Sequence, residues 1–181
     1  MKSSAAIALW RLADDSDNRV SIARAGAIPP LVALLQNGTD VTKEIAAGIL
    51  VKLAADDDNK VSIANAGAIP LLVALLQNGT DQGKENAAGT LSYLAEIDEK
   101  SKALIAKAGA ILPLVAILQN GTDRAKENAA GALWDLAENN ENNKVSIAKA
   151  GAIPLLVLLL QNGTHEAKRL STLVLLHLSH C

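Results

Sequence analysis

The string Ala-Gly-Ala-Ile occurs four times in this chain, with its glycine at Gly26, Gly67, Gly109 and Gly151, in steps of 41, 42 and 42 residues. A second marker, Gln-Asn-Gly-Thr, steps in the same way through Gly38, Gly79, Gly121 and Gly163. Two markers in phase make the chain an array. A period of this length confines it to architectures in which each unit packs mainly on its neighbours. One domain over 1–181 is expected, with a partial unit at 1–17 and units at 18–58, 59–100, 101–142 and 143–181.

Each unit punctuates itself into three helices. The first is expected to start after a cap at Asn18, Asn59, Ser101 or Asn143 and to stop at the marker glycine. Pro29, Pro70, Pro113 and Pro154 then open a second helix that is almost wholly apolar, as in Leu71 to Leu76, and so has to be buried. Thr80-Asp81 caps a third helix running from Gln82 to about Ala95, with Lys84 and Glu85 in a polar first turn and Ala87, Ala88, Leu91 and Leu94 at helical spacing. No segment shows strand periodicity. The fold expected is all-α, a right-handed α-solenoid with three helices per unit. Leu35, Leu76, Leu118 and Leu160 are predicted to form one continuous apolar spine.

Composition narrows the function. Half the residues are hydrophobic, Phe is absent, and the aromatics are Trp10, Tyr93 and Trp134, so the core is aliphatic. Seventeen basic against nineteen acidic side chains are too balanced for a nucleic-acid groove or a polybasic membrane patch. The longest apolar run, Ala150 to Leu160, is too short for a membrane span, so no direct membrane insertion is expected. A lone cysteine, Cys181, and the lack of a cationic leader suit a reducing compartment: the cytoplasm, with the nucleus as an alternative.

A unit such as Asn59 to Ala95, NKVSIANAGAIPLLVALLQNGTDQGKENAAGTLSYLA, resembles the armadillo repeat, and the resemblance covers essentially the whole chain. In flavour it is similar to the arrays of vacuolar armadillo proteins and of plant U-box ubiquitin ligases. The resemblance implies a non-catalytic protein–protein interaction scaffold whose third helices line a concave groove holding an extended peptide. It also implies an alternative, the substrate-binding portion of a U-box ligase, and a weaker one, a cargo adaptor of the importin-α type. Peptide-binding relatives place an asparagine late in the third helix; the matching residues are Arg11, Lys52, Tyr93, Asp135 and His177, and none is Asn. The tryptophan that import receptors place four residues earlier corresponds to Ile7, Gly48, Gly89, Gly131 and Leu173. The importin reading therefore keeps the fold and loses both recognition arrays.

If those five late positions face inward, residues four and seven before them share the face, which brings in Asn86 and Asn128. Three mid-helix glycines on that face admit two readings, tight packing of helices or a floor open to a ligand backbone. Large residues at the matching Ile7 and Leu173 favour the open floor. Trp10 and Trp134 are candidate edge anchors. Leu170, Leu173 and Leu176 form an apolar stripe beside the groove. Arg11 and Lys52 are expected to favour acidic ligand residues at one end, Asp135 and Glu166 basic ones at the other.

Eleven of the nineteen acidic residues fall in turns between units, where capping and solubility account for them. They do not have the pattern of a calcium loop, and no metal or cofactor is assigned. His177, His180 and Cys181 have a spacing that could touch one ion but lack a further fixed ligand. Ser62 and Ser146 have no paired His, so no nucleophile system is expected and no catalytic residue is assigned. Both ends are apolar and uncapped, which predicts further units or end-to-end self-association.

Overall fold

The computed structural model describes residues 2–179, with side chains from residue 5 onward. Among these residues are thirteen α-helices and no strand. The partial unit supplies α1 (Lys2–Leu12). Four full units follow: α2 (Ser16–Arg24), α3 (Ile28–Asn37), α4 (Asp40–Leu53); α5 (Asp57–Asn65), α6 (Ala68–Asn78), α7 (Asp81–Ala95); α8 (Glu99–Lys107), α9 (Ile111–Asn120), α10 (Asp123–Ala137); α11 (Glu141–Lys149), α12 (Ala152–Asn162), α13 (His165–Leu178). No single helix is long and apolar enough to cross a membrane.

Three chemical signals cut each unit. Gly67 and Gly151 take φ of +80° and +82°, the left-handed region that other residues enter at a cost. A Cβ there would meet nothing within 4 Å, so conformation rather than crowding demands the glycine. The chain turns through 85° between α5 and α6 at this point. The second signal is the threonine before each third helix. Thr39, Thr80, Thr122 and Thr164 all accept from the backbone N–H three residues on. The aspartate that follows is the first helical residue, not the cap, and His165 replaces Asp there without loss because Thr164 does the capping.

The third signal departs from expectation. The first helices are capped by Asp15, Asp56, Asp98 and Asn140, three residues before the predicted caps. The buried Asn59 and Asn143 lie inside their helices and tie units together. Asn59 Nδ2 donates to the Leu53 carbonyl at 3.1 Å, and Asn143 Nδ2 to that of Leu136 at 2.9 Å. Each thus satisfies a carbonyl orphaned at the end of a preceding third helix.

Third helices stack side by side along the array, and α1 continues the row. Their contact faces carry alanine pairs, Ala46-Ala47, Ala87-Ala88 and Ala129-Ala130, all fully buried, which let the helices approach closely. Of the predicted spine, Leu35, Leu76 and Leu118 are buried, whereas Leu160 is only half-buried. The neighbouring Val157 is 42% exposed where Val32, Val73 and Val115 are 8%, 3% and 4% exposed. Nothing among the described residues follows the last unit to cover them. On α13, Leu170, Val174 and Leu178 are buried, Leu173 and Leu175 half-buried, and Leu176 exposed.

Candidate functional site: the trough along the third helices

A continuous trough of about 1010 Å³ runs across α1, α4, α7, α10 and α13. Its wall is built from the same few positions of successive third helices, because units stacked in register bring equivalent residues into rows. Arg11, Lys52, Tyr93 and Asp135 all line it, as do Trp10, Trp134, Asn86, Asn128 and Leu170. His177, Leu173 and Leu176 do not. The apolar stripe predicted on α13 therefore reaches the trough only through Leu170.

Several of these side chains are already engaged. Lys52 Nζ sits 3.5 Å from the centroid of the Trp10 ring and donates to the Trp10 carbonyl at 2.8 Å and to Asp14 Oδ1 at 2.6 Å. It is a clamp between α1 and α4 rather than a free cation. Trp134 Nε1 donates to His177 Nε2 at 3.0 Å, which ties the indole to α13. Glu166 forms a two-pronged pair with Arg169 of its own helix. The expected charge polarity along the groove is therefore neutralised at Lys52 and at Glu166.

Asn86 and Asn128 also have structural employment. Asn86 Nδ2 donates to the Glu44 carbonyl at 3.3 Å, and Asn128 Nδ2 to that of Glu85 at 3.0 Å. The glycines explain how. A Cβ on Gly48 would lie 3.1 Å from Asn86 Nδ2 and from Trp10 Nε1, and one on Gly89 would lie 2.9 Å from Val51 Cγ2 and 3.0 Å from Asn128 Nδ2. Gly48, Gly89 and Gly131 are buried. Close helix packing accounts for the first two, and all three glycines still line the trough. At Gly131 the constraint is looser, with Ser92 Oγ at 3.2 Å and Leu170 Cδ1 at 3.9 Å.

Asp135 differs from the exposed charge expected of it. It is 7% exposed, and Ser92 Oγ donates to its Oδ2 at 2.8 Å. Burial, reinforced by the nearby carboxylates of Glu96 and Glu138 and opposed by the Ser92 hydrogen bond and by Lys102, lifts its pKa to about 7. Tyr93 is half-buried, with Lys60 Nζ 5.6 Å from its ring centroid.

Sequence reasoning missed a row of glutamates. Glu44, Glu85 and Glu127 line the trough and accept from the hydroxyls of Thr80, Thr122 and Thr164 of the following unit, at 2.6 Å and 2.7 Å for the first two. The signal was present as a Glu at one register of three successive units, of which the sequence reading covers only Glu85, as part of a polar first turn. At the far rim Lys60 pairs with Glu96 and Lys102 with Glu138, each bond crossing to the next third helix. Burial acts to lower both lysine pKa values, but the paired carboxylates outweigh it and hold them above the ordinary value. Among the described residues no group of three or more His, Cys, Asp or Glu could hold a metal ion. His180 and Cys181 lie outside the described residues.

The model of the armadillo/beta-catenin-like repeat matches residues 15–55, 56–96 and 98–138, and these spans open at or beside the observed caps Asp15, Asp56 and Asp98. The chain belongs to the armadillo repeat family. Solved armadillo structures share this fold. A designed armadillo repeat protein is 26% identical over 96% of this chain and 74% of its own, with a TM-score of 0.86. Computationally designed armadillo repeat proteins for modular peptide recognition are 25% identical over 97% and 74%, with a TM-score of 0.87. A third design, solved with the peptide (KR)4, is 24% identical over 97% and 74%, with a TM-score of 0.84, and bears on the fold alone. No curated protein sequence matches the chain. The trough described above runs along the third helices of an armadillo α-solenoid.

Proposed function

We propose that this chain is a non-catalytic scaffold that binds an extended peptide, or an extended segment of a partner protein, along the trough. The observation that carries this reading is the trough's continuity across five third helices, with aromatic, charged and amide side chains repeating along it. Adjacent helices pack roughly 8–10 Å apart and an extended chain advances about 3.3 Å per residue, so each unit spans about two to three ligand residues and five helices about ten. Designed relatives described as built for modular peptide recognition support the same use of the fold. The likeness of the repeat motifs to vacuolar armadillo proteins and U-box ligase arrays fits a role in which the array recognises and another module acts.

A selection from a random decapeptide library tests this. Selected peptides should lose affinity by tenfold or more on Tyr93→Ala or Trp134→Ala and be indifferent to Leu112→Ala, whose side chain is exposed away from the trough. Peptides that respond to Leu112→Ala and ignore both aromatic variants would overturn the assignment.

A further inference from the structure

We propose that Trp134 and His177 form a proton-operated latch on the trough: protonation of His177 frees the Trp134 indole and weakens the hold on an extended segment bound beside it. This regulation rests on the trough being the peptide site. Trp134 lines the trough and is half-buried; His177, half-buried on α13, is not among the lining residues. An indole N–H can only donate. The 3.0 Å bond from Trp134 Nε1 therefore requires a lone pair on His177 Nε2 and a neutral ring with its proton on Nδ1. An imidazolium has an N–H on both nitrogens, so two donors would face each other and the bond is lost.

The other ties at this level respond differently. At three junctions of third helices the same two registers are bonded across units: Lys52 to the Trp10 carbonyl, Ser92 to Asp135 and Trp134 to His177. An ammonium donates throughout the neutral range, and a carboxyl offers an acceptor oxygen whether or not it is ionised. A single proton taken up between about pH 7 and 5 breaks the last tie alone. With the indole tied to α13, a large side chain is ordered before a ligand arrives. With the tie gone, the ligand has to order it, and binding weakens.

Helix α13 packs against α10, α11 and α12. The charged groups acting on Asp135 are Glu96 of α7, Lys102 of α8 and Glu138 of its own helix. One unit on, the same registers place Glu138 of α10 and Lys144 of α11 toward His177, and both are already paired, with Lys102 and Glu141. Helix α12 carries no charged residue, and on α13 the nearest among the described residues is Arg169, about two turns away. Asp135 adjoins Trp134 in sequence and titrates at about 7, close to where histidines ordinarily do, so it supplies the control.

The test uses the intact chain. The indole N–H resonance of Trp134, identified by its loss in Trp134→Phe, should shift upfield as pH falls from about 8 to about 5. His177→Gln, whose side-chain oxygen accepts at either pH, should remove that step, and Asp135→Asn should leave it. The binding probe is a decapeptide with blocked ends, selected from a random library without ionisable side chains and weakened by Trp134→Ala. Its affinity should fall about three- to tenfold over the same range, the worth of one hydrogen bond, and stay level in His177→Gln. An indole resonance that does not move, or that moves alike in His177→Gln, overturns the proposal. A resonance that titrates with His177 while the decapeptide binds equally at both ends of the range also overturns it, and the peptide site then stands. If no library member binds at either pH and no trough resonance shifts, the peptide site fails and the latch with it.

Discussion

Asn128 Nδ2 donates to the backbone carbonyl of Glu85, one unit upstream, at 3.0 Å, and the same nitrogen lies 3.0 Å from where a Cβ on Gly89 would stand. The asparagine and the glycine are one device: the missing Cβ admits the amide that ties α10 to α7. Gly89→Ala gains about 1 kcal/mol of helix propensity but drives a methyl against Val51 and Asn128. We expect a net loss of about 1–3 kcal/mol in urea unfolding. Gly131→Ala, with more room, should be near neutral; equal losses for the two would refute this account.

Leu118→Ala removes a side chain enclosed by the following unit and should cost about 2–5 kcal/mol. Leu160→Ala, at the same register of the half-bare last unit, should cost clearly less. Thermal unfolding of the two variants side by side decides it, and a larger loss for Leu160→Ala would mean that its exposed face is covered in solution.

The Asp135 carboxyl sits at about 7 in the folded chain against an ordinary 3.8. Between those values the folded state holds a proton that the unfolded chain has released. Stability from this group is therefore intact below about pH 4 and falls as pH rises to about 7. Asp135→Asn should match the wild type near pH 4 and exceed it near pH 8 by on the order of 2–4 kcal/mol. Denaturant midpoints across pH check it; an aspartate variant that loses stability at pH 8 would count against a buried, unpaired carboxylate.

Ser171 is fully buried on α13 and its hydroxyl has no hydrogen-bond partner. Ala46, Ala87 and Ala129 occupy the same register in the earlier units. Ser171→Ala should stabilise the chain by about 1–3 kcal/mol by removing an unsatisfied polar group. An unchanged or lowered melting temperature would show that the hydroxyl finds a partner in solution.

The three helices of a unit were legible in the residues, and so was the start of the third helix at Thr80-Asp81, although the structure gives the cap to the threonine alone. Each is governed by local chemistry repeated at a fixed period: a glycine that must go left-handed, a hydroxyl that accepts a backbone N–H, an apolar run too long to leave exposed. The first-helix caps were misjudged because Asp15 and Asn18, or Asp56 and Asn59, are equally good capping residues. Only the structure shows which of each pair accepts and which is inside the helix bonding across to another unit.

The residues of the trough wall were largely identifiable by register, but their availability was not. Lys52, Trp134, His177 and the two asparagines are engaged by partners about one unit, roughly forty residues, away in sequence. Asp135 became a buried acid for the same reason: Ser92 and Glu96 reach it only once α7 and α10 are stacked. The sequence by itself determined an all-α array of three-helix units, since periodicity and capping act within a few residues; the third helices as the groove wall were implied only by the resemblance to the armadillo repeat. Tertiary structure alone decided which side chains on that face are spent on neighbours and which carboxylate is left without a counter-charge, since desolvation and pairing depend on distances between helices that no local pattern encodes.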